Sequence, residues 1–245
     1  MAELTPQQEA ELQAAYLAAF GVWLPQVEAA VLAATIRFGS QPQPSAINTT
    51  AATWRAEIRR IEAQQLQPMA SEAYADEVAG VSGAAAFVLT GAIMGAAVVA
   101  SSAFLLALVG EVQAQLSRII LGRTTISSAR AITEYLNPVN PHWAGKAATF
   151  AQTEGDRWIQ AATLAGAVAA QRADGVPREK IWVSRDDELV RPAHAFADGQ
   201  RQPLLAPFNV AGFPMMYPHD PAAPVDLVAN CRCNLVILKS GGSRG

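Results

Sequence analysis

Residues 171–199 read QRADGVPREKIWVSRDDELVRPAHAFADG, and the character of the chain changes inside them. Up to Gln171 the apolar residues recur at helical spacing. Asp174-Gly175-Val176-Pro177 stops that pattern, because proline cannot continue a helix and glycine frees the backbone to turn. Beyond Pro177 prolines multiply and helical periodicity vanishes. Short apolar runs at Ile181-Trp182-Val183, Phe208-Asn209-Val210 and Leu235–Leu238 each fit a short strand. The sequence therefore predicts an α+β fold: a mainly helical N-terminal region followed by a small mixed α/β C-terminal module with long, well-defined loops. The expected division is an extended helical region over 1–140 and a module over 141–245.

Working back from residue 171, a helix is predicted from about His142, preceded by the turn cluster Asn137-Pro138-Val139-Asn140-Pro141. Helical pattern also covers Glu111 to about Leu136, interrupted near Gly122. Near the N-terminus, Thr5-Pro6 is a helix start for residues 6–36, where Leu12, Tyr16, Ala19, Phe20 and Trp23 share one face. Gly39–Ser45 (GSQPQPS) reads as a linker. A second helix runs from about Thr50 to Leu66, with Trp54, Ile58, Ile61 and Gln65 on one face and Arg55, Arg59 and Glu62 on another; Pro68 is expected to end it. The tail SGGSRG (240–245) reads as a disordered end.

One segment stands apart. Val78 to Gly110 contains no charged residue. It exceeds the roughly 20 residues that cross a bilayer and carries Gly91-x-x-x-Gly95, a close helix-packing pattern. Two readings are open: a buried helix pair or subunit interface, and a membrane-active segment.

The chain of 245 residues is long enough for one large domain or two modest ones. Hydrophobic residues make up 51% and charged residues 16%, and the net charge of −3 supplies no global basic field for DNA or an acidic membrane. The densest basic cluster is Arg55, Arg59 and Arg60. The only cysteines, Cys231 and Cys233, are too close in sequence for an ordinary structural disulfide, which points to a reducing compartment. Met1 to Glu11 lacks the basic start and apolar run of a signal peptide, so secretion by that route is not expected. No P-loop, G-x-G-x-x-G, H-E-x-x-H or G-x-S-x-G occurs, so the enzyme classes with local signatures are unsupported.

Polar and special residues concentrate between Trp182 and Cys233. Trp182, Asp187, Arg191 and His194 form W-x(4)-D-x(3)-R-x(2)-H, followed by Asp198-Gly199, Phe208, Gly212, Pro218-His219-Asp220-Pro221 and Asn230-Cys231-Arg232-Cys233. Pro192 suits the first position of a short helix that carries His194 and stops at Gly199. Asp187 and Arg191 are placed to form an ion pair at its entry. In an extended segment both thiols face one way and Arg232 the other. Cys231, Cys233 and His194, with His219 or Asp198 as a fourth ligand, could make a structural zinc site in a module with little core. The alternatives are plain buried cysteines beside a hydrogen-bonded histidine, and a thiol nucleophile built from Cys231, His194 and Asp187 or Asp198. No oxyanion-hole signature accompanies the last. Asp187, Arg191 and Asn230 read as scaffold that pairs loop backbone. Trp143, Trp158 and Trp182 read as core.

This ordered series resembles the Mu F-like minor head protein module of tailed bacteriophages. That module has a Trp, an Asp followed by Arg-x-x-His, an Asp-Gly, a Pro-x-Asp-Pro turn and a closing Asn-Cys-Arg-Cys. Thr153-Glu154 is similar to the Thr-Glu on the family's preceding helix, and the likeness spans about residues 125–238. No single element is specific; order and spacing together carry the resemblance. One departure is His219, where the family's turn has Gly. The uncharged run at 78–110 is also atypical of the family. The resemblance implies a non-enzymatic virion component, made in the host cytoplasm and placed inside the head near the portal vertex in a few copies. Its implied partners are the portal protein and other head components, with packaged DNA a further candidate contact. Its implied roles are head assembly, genome packaging or genome delivery. The apolar run adds the host membrane as a candidate partner.

Overall fold

In the computed structural model, residues 3–38, 42–88 and 91–239 are described. Helix α1 spans Pro6–Phe38, a 3-10 turn Pro44–Thr50, α2 Ala51–Ile61, a π-type turn Glu62–Leu66, and α3 Gln67–Val78. Then come α4 (Ala92–Ile120), α5 (Thr125–Leu136) and α6 (Pro141–Asp174). The C-terminal part holds β1 (Arg178–Val183), α7 (Pro192–Ala197), β2 (Arg201–Pro203), β3 (Phe208–Val210), β4 (Phe213–Met215), α8 (Val225–Val228) and β5 (Asn234–Lys239). The fold is α+β, as the change of pattern at 174–177 requires. The expected linker falls partly outside the described residues at 39–41, and the tail 240–245 lies wholly outside them.

Three helical expectations change. Pro68 does not end a helix: the chain widens through the π turn and restarts as α3 with Pro68 in its first turn. A first-turn residue has no intrahelical N–H acceptor to lose, so proline is tolerated there. The uncharged run is not a helix pair either. Between Val78 and Gly91 the described backbone is turns and irregular structure, with Gly80 and Gly83 at φ 73° and 80°. Helix α4 then runs unbroken past Gly110 and Glu111 to Ile120.

The chain divides into two compact units that do not follow the 140/141 boundary. One comprises Met1–Glu9, Gln64–Ser101 and Gln152–Gly245; the other comprises Ala10–Ala63 and Ser102–Ala151. They interleave in sequence because α1, α4 and α6 each contribute residues to both.

The second unit is helical and packs around aromatics. Phe20 and Trp23 stack on Trp54 with ring centroids 5.4 and 4.9 Å apart, and Trp143 meets Phe20 at 5.2 Å. Buried indole N–H groups need acceptors: Trp23 donates to Thr50 Oγ1 and Trp54 to the Leu105 carbonyl.

The first unit carries the strands. Helix α6 ends where Gly175 adopts φ 69° and its N–H reaches the Gln171 carbonyl. Asp174 accepts from the Val176 N–H and pairs with Arg178, which turns the chain into β1. A three-stranded antiparallel sheet has the order β2-β1-β5, with Trp182 opposite Leu235 and Val183 opposite Asn234. Strands β3 and β4 form a separate hairpin. Helix α6 also packs closely on α3, since a Cβ on Gly166 would stand 2.8 Å from Glu77 Cβ and 2.9 Å from the Tyr74 carbonyl.

Candidate metal centre

The site lies in the C-terminal part of the first unit. Pro192 opens α7 as expected, and the helix carries His194 inward. Gly199 takes φ 73° beyond its end, and its N–H donates to the Trp182 carbonyl. Cys231 and Cys233 sit between α8 and β5, with Cys233 immediately before the first residue of the strand. Their alternation turns both thiols inward, and Arg232 turns outward to Asp187 at 2.6 Å.

Both sulfurs stand 3.4 Å from His194 Nδ1. The three ligand atoms all lie within 4.8 Å of one another, and all three side chains are buried. For tetrahedral zinc with Zn–S of about 2.3 Å and Zn–N of about 2.0–2.1 Å, the sulfur–nitrogen edge comes to about 3.5 Å. The His194, Cys231 and Cys233 group could therefore hold a metal ion, and two thiols with an imidazole are the donors a soft or borderline cation takes. Among the described residues it is the one such cluster.

The surroundings tune the thiols unequally. The neighbouring Cys233 thiol and burial push Cys231 up, while the hydrogen bond with Cys231 holds Cys233 below the usual thiol range. The Trp182 indole also favours the Cys233 thiolate and packs edge-on against His194 at 5.6 Å. The far ring nitrogen of His194, Nε2, has no hydrogen-bond partner.

The remaining expected residues serve mainly as scaffold. Asp187 pairs with Arg232, not with Arg191, and Arg191 instead donates to the Ala229 carbonyl. The loop brings Arg232 across while α7 directs the Arg191 guanidinium toward α8. Asp198 accepts from the Ser184 N–H at 2.6 Å and stands outside the ligand cluster. Neither carboxylate hydrogen-bonds the His194 ring, so the Cys-His-Asp relay is not assembled here. Asp220 closes its own turn by accepting from the Met216 and Ala222 N–H groups. Asn230 is exposed at φ 52°, and its N–H donates to Thr153 Oγ1. His219 is fully buried, with Nε2 3.6 Å from Asp156 Oδ2.

Several supporting residues escaped the sequence reading. Gln152 donates to the Cys231 carbonyl, Arg157 to the His219 carbonyl, and Gln160 both donates to Asn234 Oδ1 and accepts from the Leu235 N–H. With Thr153 and Asp156 they form a polar stripe at helical spacing on an otherwise alanine-rich α6. Such a stripe, flanked by Ala161, Ala162 and Leu164, is the signal that could have revealed them. Lys180 was also missed: it is buried, donates to the Met216 carbonyl, lies 4.9 Å from the Phe208 ring centroid, and burial lowers it to about 8.

No family model, curated protein or solved structure matches the chain.

Proposed function

We propose that the protein is a minor head protein of a tailed bacteriophage, of the Mu F-like kind, and that its C-terminal module is a zinc-stapled structural unit with no catalytic role. The observation that carries this reading is the convergence of the motif series. Trp182, His194, Cys231 and Cys233 meet at one buried point, and Asp187, Arg191, Asp198 and Asp220 tie down the loops around it. The resemblance in order and spacing supplies the assignment to the phage head. Zinc suits the donor set, and its binding energy would offset the small core of a loop-rich module.

In this reading the protein is made in the host cytoplasm, joins the head beside the portal in a few copies, and contacts the portal protein and other head components. Packaged DNA is a secondary partner. The test is composition of purified particles: the protein should be present at far fewer copies than the major capsid protein and should co-purify with the portal. Absence from particles would overturn it. The zinc component is tested separately by elemental analysis of the purified chain, with about one zinc per chain expected for a closed four-ligand site.

A second reading rests on α4. This helix of 29 residues is long and apolar enough to cross a membrane, and only 33% of its apolar window is buried. That exposure is what would favour a membrane-active role after ejection. The full chain should then float with liposomes, and its remaining with the soluble fraction would remove this reading.

A further inference from the structure

We propose that a cleft between α3, α4 and α6 in the first unit binds a single-chain fatty carboxylate, with the chain between apolar walls and the carboxylate on Arg172. The proposal goes beyond the readings above and is independent of the metal centre.

The cleft holds about 300 Å3, at the lower end of the volumes that enclose small ligands. One wall is α6, where Ala165, Ala169 and Arg172 follow at the four- and three-residue spacing of a single helix face. Another wall is the segment that leads into α4, with Ala85, Ala86 and Val88 before the helix and Ala92 and Ile93 in its first turn. Tyr74 and Met94 are nearly closed to solvent and form the floor. Val88 and Leu205 are 55% and 63% exposed and give the mouth an apolar rim.

The irregular segment that walls the cleft is tied down. The Tyr74 hydroxyl donates to the Ala85 carbonyl at 2.7 Å, and the Tyr74 ring meets Phe87 with centroids 5.4 Å apart. The Gly91 N–H donates to the Val88 carbonyl at the entry to α4. These contacts fix the segment on α3, and the space between it and α6 stays open.

Charge selects the occupant. Arg172 is the sole charged residue on the lining, and no carboxylate there repels an anion. Arg172 is exposed, and among the described residues it makes no ion pair. The Tyr74 hydroxyl, the other polar side-chain group on the lining, is committed to Ala85. The cleft therefore offers one cation at one place and hydrocarbon elsewhere. A polar metabolite would strand its hydrogen-bonding groups against alanine, valine and methionine, which is costly. A neutral lipid would leave Arg172 unused, and the volume admits one chain, not the two of a bilayer phospholipid. A fatty carboxylate meets both demands: apolar burial favours the chain, and a guanidinium takes a carboxylate through two parallel hydrogen bonds.

The test titrates the full chain with sodium dodecanoate below its micelle-forming concentration, followed by calorimetry and nitrogen–proton correlation spectra. Saturable binding of one molecule per chain is expected, with amide shifts centred on the α6 face and the start of α4. Decanoate, two methylenes shorter, should bind about tenfold more weakly. Arg172→Gln should weaken dodecanoate by about tenfold and leave dodecanol unchanged. Ala169→Trp, at a half-buried position on the wall, should abolish binding of both. No saturable binding, or shifts centred elsewhere, overturns the proposal. Unchanged dodecanoate affinity in Arg172→Gln or in Ala169→Trp overturns it as well. Binding to phosphatidylglycerol vesicles without binding of dodecanoate also overturns it, in favour of the membrane reading of α4. The wild-type titration and its shift map decide alone if a variant fails to fold. None of these outcomes bears on zinc content or particle composition, so this proposal and the phage-head reading fail or stand separately.

Discussion

Glu154 and Arg157 form an ion pair one helical turn apart on α6, and both are buried. Burial pushes the Glu154 carboxyl up and Arg157 pulls it back. Removing the cation leaves an uncompensated buried charge, so Arg157→Ala should destabilise the chain by roughly 3–5 kcal/mol, with Glu154→Gln milder. Urea denaturation followed by tryptophan fluorescence measures both; equal, small effects would contradict a buried pair. Asp156 behaves differently. Burial, with Glu9 adding to it, raises its carboxyl from 3.8 to about 7. The folded state therefore holds a proton that the unfolded chain has released between those values. Its contribution to stability is fully present below the unfolded value and is lost as pH rises to about 7. A carbon-13 titration of the side-chain carboxyl should show a midpoint near the raised value, and Asp156→Asn should remove this fall in stability with pH. A midpoint in the ordinary aspartate range would contradict desolvation as the dominant cause. At this scale the sequence turned Cys231 and Cys233 to one side, because alternation along extended backbone is local geometry, and it offered His194 only as a candidate third ligand. It could not pair Asp187 with Arg232, since sequence separation says nothing about which loop crosses which.

At the scale of elements, apolar spacing was a reliable guide. Leu12, Tyr16, Ala19, Phe20 and Trp23 are all fully buried, as their shared helical face requires. The three apolar runs after Pro177 all lie in strands, while β2 and β4 were not anticipated, being only three residues long each. The junctions were less legible. Pro68 and the start of α4 depend on how the backbone relaxes, which residue type alone does not state. Two substitutions probe the junctions and contacts. Gly166→Ala would place a methyl against the Tyr74 carbonyl and Glu77 Cβ, with no flexible side-chain end to yield. It should cost about 1–3 kcal/mol, read as a lower melting temperature; an unchanged value would show that α3 and α6 can separate freely. Thr124 caps α5 by accepting from the Ser127 N–H at 3.3 Å. Thr124→Ala should cost about 1 kcal/mol, and Thr124→Asp should restore most of it in the same melting experiment.

For the molecule as a whole, a zinc staple at His194, Cys231 and Cys233 makes a regional prediction. Chelation should speed amide exchange in α7 and in the segment from Tyr217 to Asn234, and leave exchange in α2 and α5 unchanged. Uniform protection before and after chelation would argue that the cysteines are plain core residues. The two-unit division explains why the expected boundary at residue 140 has no structural counterpart: α6 starts at Pro141 in one unit and passes into the other after Ala151. A continuous helix carries no compositional sign of changing its surroundings. The amino-acid sequence by itself determined the class of fold, the places where helix gives way to strand, and the inward turn of two thiols, because each follows from periodicity or backbone freedom within a few residues. Only the tertiary structure decided that α7 brings His194 to those thiols, that α6 supplies the polar stripe holding their segment, and that the buried His219 faces Asp156. Those placements join residues tens of positions apart, and they are set by which buried surfaces and hydrogen-bonding groups can be satisfied together, a condition no local pattern encodes.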